Sequence, residues 1–165
     1  MKILAVSGWS GAGKTTLIAA LIPLFKAAGL SVSTVKHAHH GVVLDKPGKD
    51  SFIHAEAGAR EVILTTQDGF ALFSRTQTPL EALLPRLSPV DLVLVEGFKA
   101  EALPRLSVYR PALGKPAPWP DPHLLAVAAD TALPGCPVPV LPLDKPGDTA
   151  DFLIRVLKLN KPSHR

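Results

Sequence analysis

The sequence predicts an α/β fold with a mostly parallel sheet and helices on both of its faces. Short apolar runs typical of buried strands alternate along the chain with segments of helical periodicity. Strands of a parallel sheet are buried on both faces and therefore form continuous apolar runs, as residues 3–7 and 91–95 do. The 165 residues suit one domain. The 47% hydrophobic and 19% charged content excludes a disordered or coiled-coil chain.

Apolar runs and turn signals place the other elements. Further strands are predicted at residues 31–36, 62–66, 70–73, 106–109, 124–128 and 138–141, with a hairpin turn at residues 67–69. Helices are predicted at residues 14–28, 50–57, 79–87 and 148–159, with Asp50, Thr78 and Asp148 as N-terminal caps. Five prolines between positions 111 and 122 exclude a helix or a central strand, so we predict a long surface loop there.

Residues 8–15 carry the strongest functional signal. Their sequence, Gly-Trp-Ser-Gly-Ala-Gly-Lys-Thr, matches the phosphate-binding pattern G-x-x-x-x-G-K-[ST] at the first predicted strand–helix junction. Such a loop points backbone N–H groups at phosphate oxygens, and the following helix adds partial positive charge. The nucleotide contacts predicted from the pattern are Ser10, Gly11, Ala12, Gly13, Lys14 and Thr15. The sequence therefore predicts one P-loop NTPase-like, nucleotide-binding domain over residues 1–165, in which Lys14 bridges the β- and γ-phosphates and Thr15 binds Mg²⁺.

A second Mg²⁺ ligand is expected at the end of a buried strand. Asp91 and Glu96 lie at opposite ends of the predicted strand at 91–95, roughly 16 Å apart at about 3.3 Å per residue. Ligands of parallel sheets bind beyond the carboxyl ends of the strands. We therefore assign Glu96 to the metal and, with Lys14, to catalysis, and we predict that Asp91 is a solvated turn residue.

The segment after the second predicted strand is rich in cations, histidines and acids. We predict that it binds an anionic ligand or acts as a switch loop, together with a lysine after the strand at 91–95. The residues concerned are Lys36, His37, His39, Lys49, Asp50 and Lys99. Asp45 or Asp50 could approach the Mg²⁺ or its waters. The alternatives are an ordinary turn followed by a helix cap, a plain surface loop, or a metal site made by the three histidines.

Asp130 is the candidate for reading the base. It follows the apolar run at residues 124–129, at the edge of the sheet where the nucleotide is expected. A carboxylate there could accept hydrogen bonds from guanine N1–H and N2–H₂. The sequence has no Asn-Lys-x-Asp guanine signature, and a simple turn at the strand end is the alternative.

Several segments together resemble one family. They are Gly-Trp-Ser-Gly-Ala-Gly-Lys-Thr-Thr, Lys-His-Ala-His-His, Asp-Lys-Pro-Gly-Lys-Asp-Ser, Ala-Gly-Ala-Arg and Leu-Val-Glu-Gly-Phe-Lys, all within residues 8–99. This ordered set resembles the MobB family, the molybdopterin-guanine dinucleotide biosynthesis protein B family. The resemblance implies a dimeric, GTP-binding adapter with weak GTPase activity, which assists the guanylyltransferase MobA in attaching GMP to molybdopterin. It also implies that Thr16 contacts the nucleotide and that Glu96 lies beside Mg²⁺.

The sequence supports other function classes less well. An ATP-dependent small-molecule kinase is the main alternative, with the segment after the second strand holding an acceptor and Asp45 or Asp50 as its base. The net charge of +4 permits nucleic-acid binding, but the lysines are scattered and aromatic residues make up only 5%, so we expect none. The apolar runs are too short to span a membrane, and the N-terminus is not typical of a signal peptide. Cys136 is the single cysteine, so we expect a cytoplasmic protein without disulfides.

Overall fold

The computed structural model describes residues 1–38 and 45–159, which fall into two compact units. Unit 1 comprises residues 1–37 and 87–165, and unit 2 comprises residues 38–86. The predicted anion contact His39 lies outside the described residues, as does His40. Within the described ranges, no helix is long and apolar enough to cross a membrane.

The elements follow the predicted alternation of strands and helices. The strands are β1 Lys2–Gly8, β2 Val32–Lys36, β3 Glu61–Thr65, β4 Phe70–Ser74, β5 Leu92–Glu96, β6 Arg105–Tyr109, β7 Leu124–Ala129 and β8 Val140–Pro142. The helices are α1 Lys14–Ala27, α2 Asp50–Glu56, α3 Leu80–Leu83 and α4 Pro146–Val156, with short 3₁₀ turns at Leu84–Arg86 and Pro111–Leu113.

Unit 1 contains a six-stranded sheet in the order β2-β5-β1-β6-β7-β8, in which every pair is parallel. The predicted parallel sheet is confirmed. Because the strands are parallel, their carboxyl ends share one edge, where Gly8 ends β1 and Glu96 ends β5. The register pairs Lys36 with Glu96, which brings a cation and an acid to the same point of that edge.

The two faces of this sheet are covered differently. Helices α1 and α4 contact each other and pack on the face that carries Leu4, Leu94 and Leu106. Both helices that the structure describes in unit 1 lie on this one face. Side chains alternate along a strand, so Ser7 and Ser107 belong to the opposite face. They are buried there although no helix of unit 1 covers them.

The prolines at 111–122 form a loop, as predicted, which is held by two side chains of β6 and by Trp9, the residue after β1. We call residues 111–122 the proline loop. The Trp9 Nε1 donates to the Pro116 carbonyl oxygen at 3.0 Å, and the Tyr109 hydroxyl donates to the Lys115 carbonyl oxygen at 3.0 Å. Arg105 Nη1 lies 3.1 Å from Asp121 Oδ2, and both side chains are largely buried. The loop is therefore anchored at its middle and at its end.

Unit 2 contains the predicted hairpin. Strands β3 and β4 are antiparallel, with Glu61 opposite Ser74 and Thr65 opposite Phe70. The Thr66 N–H donates to the Gly69 carbonyl oxygen at 2.7 Å and closes the turn. The hairpin and helices α2 and α3 are all short, so this unit has a small interior of its own.

The predicted N-terminal caps are wrong at three helices. Lys49, Pro79 and Lys145 occupy the cap positions of α2, α3 and α4. Proline favours the first helical position, so Pro146 starts α4 and places Asp148 inside the first turn. A carboxylate there still stabilises the helix through its dipole. Thr78 instead donates its hydroxyl to the Thr76 carbonyl oxygen at 2.9 Å.

Candidate nucleotide-binding site

The loop between β1 and α1 has the backbone that a phosphate site requires. Gly13 is the N-cap of α1 with φ of +103°, and it has no side chain to occupy the first N–H groups of the helix. At Gly8, where φ is +140°, a Cβ atom would collide with the Val108 carbonyl oxygen, so only glycine fits. Ser10, Gly11 and Thr16 are exposed around the loop, whereas Ala12 is buried beneath it.

Lys14 lies over the loop that precedes it. Its Nζ donates to the carbonyl oxygens of Gly8 at 3.1 Å and Trp9 at 3.0 Å. Burial lowers the pKa of Lys14 below its usual range; Glu96 opposes that shift, and the nearby Lys99 and Lys36 reinforce it. Three lysines thus lie near a single glutamate, so positive charge is in excess around Lys14. A bound anion would offset this excess.

Thr15 and Glu96 lie in direct contact, as the prediction of a shared metal requires. The Thr15 hydroxyl lies 3.0 Å from Glu96 Oε1 and 3.2 Å from Oε2. Lys36 Nζ is 3.4 Å from both Thr15 Oγ1 and Glu96 Oε1. A cation therefore already lies beside the Thr15 hydroxyl and the Glu96 carboxylate, and it forms an ion pair with that carboxylate.

This donor set fits Mg²⁺ held together with phosphates. Magnesium prefers oxygen ligands and is held by one or two protein groups plus phosphate oxygens and waters. Thr15 and Glu96 supply a hydroxyl and a carboxylate next to the helix N-terminus. The described residues contain no cluster of three or more histidine, cysteine or acidic side chains able to hold a metal, so phosphate oxygens and waters would have to complete the coordination of a metal held by Thr15 and Glu96.

His37 and Lys99 also lie at this edge. The His37 N–H donates to the Glu96 carbonyl oxygen at 2.9 Å, and its ring centroid is 4.9 Å from that of Phe98. A Cβ at Gly97 would come within 3.0 Å of the His37 Cβ, so glycine permits this approach. Lys99 Nζ lies 4.8 Å from the Trp9 ring centroid, which joins the end of β5 to the loop.

Three other predicted site residues belong to unit 2. Asp45 Oδ1 accepts a hydrogen bond from the Ser51 hydroxyl at 3.1 Å, and its Oδ2 is buried with no partner among the residues that the structure describes. Lys49 is the N-cap of α2 and Asp50 its first residue. Their roles toward an anion or Mg²⁺ stay predictions.

Asp130 follows β7 at the same edge, and a residue that the sequence did not indicate holds it. Arg110 Nη1 lies 3.0 Å from Asp130 Oδ2, and Arg110 Nε donates to the Ala12 carbonyl oxygen at 3.0 Å. Both residues line a cleft of about 870 Å³, which also includes Leu143 and Asp144. Its volume lies within the range of small-ligand sites. The signal for Arg110 was its position directly after the predicted strand at 106–109.

Comparison with known proteins fits this arrangement. The family model described as "Molybdopterin guanine dinucleotide synthesis protein B" (MobB) matches residues 3–130. The chain belongs to the MobB family. The molybdopterin-guanine dinucleotide biosynthesis adapter protein of Escherichia coli is 39% identical over 162 residues, which cover 93% of this chain and 92% of that protein. The adapter protein of the same name from Haemophilus influenzae is 42% identical over 137 residues, covering 81% and 77%.

Solved MobB structures share the fold. A crystal structure of molybdopterin-guanine biosynthesis protein B matches with a TM-score of 0.72 and 27% identity, over 93% of this chain and 99% of that chain. A MobB homologue from Bacillus stearothermophilus matches with a TM-score of 0.71 and 25% identity, over 97% and 100%. The P-loop NTPase-like fold and the family expected from the motifs are both confirmed, and the chain is an adapter protein of molybdopterin guanine dinucleotide biosynthesis.

Proposed function

We propose that this adapter binds GTP with Mg²⁺ and hydrolyses it slowly. The observation that carries the proposal is the contact of Thr15 with Glu96 beside Lys14, at the free N-terminus of α1. The helix end and Lys14 would hold the phosphates, while Thr15 and Glu96 would hold Mg²⁺, which neutralises phosphate charge. Hydrolysis would be slow because these groups hold the phosphates and the metal, and none of them orients the attacking water. An efficient GTPase needs such a group as well.

Guanine would be read by Asp130. Its Oδ2 is engaged by Arg110, which leaves the remaining acceptor capacity of the carboxylate for the two donors on the guanine edge. The cleft of about 870 Å³ beside it supplies room for the base and ribose. Arg110 would orient the carboxylate, because its guanidinium donates to Asp130 Oδ2 and is itself held by the Ala12 carbonyl oxygen.

The adapter role concerns transfer of GMP to molybdopterin in the cytoplasm. The names of the relatives support an adapter role in molybdopterin guanine dinucleotide biosynthesis. The cytoplasmic location and the partners, the guanylyltransferase MobA and molybdopterin, are part of our proposal. We also propose a homodimer formed through the hairpin of unit 2. Its side chains Ile63 and Phe70 are 64% and 76% exposed, and a two-stranded sheet with exposed apolar side chains is suited to pair with a second copy.

Equilibrium binding of GTP and ATP, each with and without Mg²⁺, tests the proposal. We expect GTP to bind at least tenfold more tightly than ATP, a gap of roughly 1.4 kcal/mol, with GDP and phosphate as slow products. Preference for ATP, with a phosphorylated small molecule as product, would instead establish the kinase alternative. Equal, Mg²⁺-independent binding of both nucleotides would contradict both functions.

Two variants of β5 separate the metal from general charge effects. Glu96→Gln removes the carboxylate next to Thr15, so we expect it to lose most of the Mg²⁺-dependent gain in GTP affinity. Asp91→Asn removes a carboxylate just before the start of β5, at the opposite end of that strand from Glu96. There the carboxylate accepts hydrogen bonds from Ser31. This variant should leave the Mg²⁺ dependence unchanged, and an equal effect of both variants would exclude Glu96 as the metal ligand.

A further inference from the structure

A second cavity lies between the sheet of unit 1 and the proline loop. It measures about 150 Å³ and is lined by Ser7, Trp9, Lys99, Arg105, Ser107 and Pro118. A cleft of about 450 Å³ adjoins it, sharing Lys99, Arg105 and Pro118 and adding Trp119 and His123. None of the residues lining the 150 Å³ cavity lines the Arg110–Asp130 cleft. This cavity is therefore separate from the place proposed for guanine.

Two polar groups in the wall of the small cavity lack partners. Ser107 is fully buried, and its hydroxyl has no hydrogen bond among the residues that the structure describes. The same holds for Arg105 Nε. A buried polar group without a partner costs about 1–3 kcal/mol. Two such groups, two residues apart on one face of β6, would both gain a partner from a hydrogen-bonding occupant of the cavity.

Arg105 is held so that Nε is the one nitrogen of its guanidinium with no partner among the described residues. Its Nη1 pairs with Asp121 at 3.1 Å, and its Nη2 donates to the carbonyl oxygens of Glu101 at 2.8 Å and Lys99 at 3.2 Å. The guanidinium is planar and rigid. With its other nitrogens engaged, the direction of the Nε–H bond is fixed, and no side-chain ordering is needed when a ligand binds.

The wall carries two cations, Arg105 and Lys99, against one carboxylate, Asp121, which is already paired with Arg105. The remaining donors therefore favour an acceptor with negative charge. Arg105 Nε and the Lys99 ammonium are donors only, and the Ser107 hydroxyl can donate as well. Hydrogen bonds between ionised donors and an oxyanion are about twice as strong as neutral ones. The adjoining cleft carries the aromatic side chain of Trp119 and the prolines of the proline loop, which suit an apolar or planar body.

We propose that this cavity binds the oxyanion of a small organic ligand, a phosphate monoester or a carboxylate, with the ligand body in the adjoining cleft. Ser107, Arg105 Nε and Lys99 hold the oxyanion, and the proline loop covers it. The site lies against Gly8 and Trp9 at the start of the phosphate loop, so its occupant is a neighbour of the nucleotide and does not replace it.

Phenyl phosphate and benzoate are suitable probes, because they present the two oxyanions on the same ring. Titration of the full chain is followed through the Arg105 Nε–H resonance in an arginine-selective ¹H–¹⁵N spectrum. We expect a saturable shift that persists when Mg·GDP fills the phosphate loop. Tighter binding of phenyl phosphate identifies a phosphate ligand, and tighter binding of benzoate a carboxylate. No saturable shift at millimolar concentrations of either probe overturns the proposal.

Two buried hydroxyls provide a matched pair of variants. Ser107→Ala should weaken probe binding about fivefold, roughly 1 kcal/mol, while thermal stability stays equal or rises because an unsatisfied hydroxyl is removed. Thr149 Oγ1 is also buried without a partner among the described residues, but Thr149 lies in α4 and lines neither the cavity nor the cleft. Thr149→Val should not change probe binding. Equal effects of both variants, or none from Ser107→Ala, refute the site.

Competition with the nucleotide separates this proposal from the previous one. If Mg·GDP abolishes the shift, the probe binds in the phosphate loop and the second site is refuted while nucleotide binding stands. If the chain binds no guanine nucleotide but the shift and the Ser107→Ala effect remain, the second site stands without the proposed GTP function.

Discussion

The phosphate end and the base end of the candidate site are built in different ways. At the phosphate end, Lys14 and Thr15 follow the glycine loop directly, and the helix that begins there orients them. At the base end, Arg110 and Asp130 are 20 positions apart, and Arg110 reaches an Ala12 carbonyl oxygen 98 positions away. The first end is determined by local sequence, whereas the second exists only once β6 and β7 have taken their places beside β1.

Arg110 joins these two ends. Its Nε donates to the Ala12 carbonyl oxygen in the glycine loop and its Nη1 to the Asp130 carboxylate. The side chain is partly exposed, at 41%, so the ion pair by itself stabilises the fold little. Its importance lies in fixing Asp130 relative to the loop, and the predictions below test how far the two ends depend on each other.

The largest effect is expected at Gly8, where the phosphate end meets β6. Gly8→Ala places a Cβ against the Val108 carbonyl oxygen at a φ of +140°, so β1 and β6 must separate. We expect a loss of about 3 kcal/mol in the free energy of unfolding, measured by chemical denaturation. At Gly11, with φ of +78°, nothing lies within 4 Å of an added Cβ. Gly11→Ala should therefore cost only about 1 kcal/mol; equal losses would show that contact with β6 is unimportant.

Lys14→Ala should act next most strongly, and on the phosphate end alone. Loss of a charged donor to the phosphates predicts about a hundredfold weaker GTP binding by calorimetry, roughly 2.7 kcal/mol. The effect on ATP should be equal, because both nucleotides carry the same phosphates. A loss confined to GTP would mean that Lys14 acts on the base end.

The difference in stability between the wild type and Lys14→Ala should depend on pH. The pKa of Lys14 is lowered in the folded chain, chiefly by burial. The unfolded chain therefore binds more protons between the folded and unfolded pKa values, and wild-type stability rises with pH in that window. Thermal melts from neutral pH to pH 10 should show the wild type gaining on Lys14→Ala. A constant difference would contradict the shift.

Asp130→Asn should change the base end and leave the phosphate end intact. We expect GTP affinity to fall about tenfold, roughly 1.4 kcal/mol, while ATP affinity stays unchanged. An amide can donate to the 2-oxo group of xanthine, so xanthosine triphosphate should now bind better than GTP. Asp144 lines the same cleft, and Asp144→Asn provides the control for general charge. If both variants act alike, Asp130 does not read the base.

What could be predicted from the sequence also differs between features set by local sequence and features set by strand register. The glycine turn before α1, the position of Glu96 at the end of a strand and the parallel strands could be predicted, because each depends on local residue order or on short apolar runs. The position of Arg110 after a predicted strand was visible in the sequence, but its partners were not, because they depend on the register of β6 beside β1 and β7. The buried Ser107, whose hydroxyl has no partner among the described residues, could not be predicted either. A serine within an apolar run has no distinctive sequence pattern. The caps failed for a local reason: the start of α4 is fixed by Pro146, two residues before the acid that we chose.

The smallest effect is expected at Asp91, at the end of β5 remote from both halves of the site. The sequence indicated a solvated turn residue, but its Oδ2 accepts hydrogen bonds from the Ser31 N–H at 2.7 Å and hydroxyl at 2.6 Å. These bonds, the hydroxyl first, lower the pKa of Asp91 below its usual range. A carboxyl with a lowered folded pKa contributes stability above its unfolded pKa and loses it as the pH falls.

Asp91→Asn should therefore lower the free energy of unfolding by roughly 1 kcal/mol at neutral pH, since solvent weakens hydrogen bonds at this partly exposed position. The difference from wild type should shrink as the pH falls through the lowered folded pKa, because the wild-type carboxyl then becomes protonated too. GTP affinity should be unchanged at every pH, because Ser31 and Asp91 lie at the amino ends of the strands. A loss of GTP affinity would mean that the carboxyl edge of the sheet depends on the hydrogen bonds at its amino edge. The geometry of the phosphate end would then not be determined by local sequence alone.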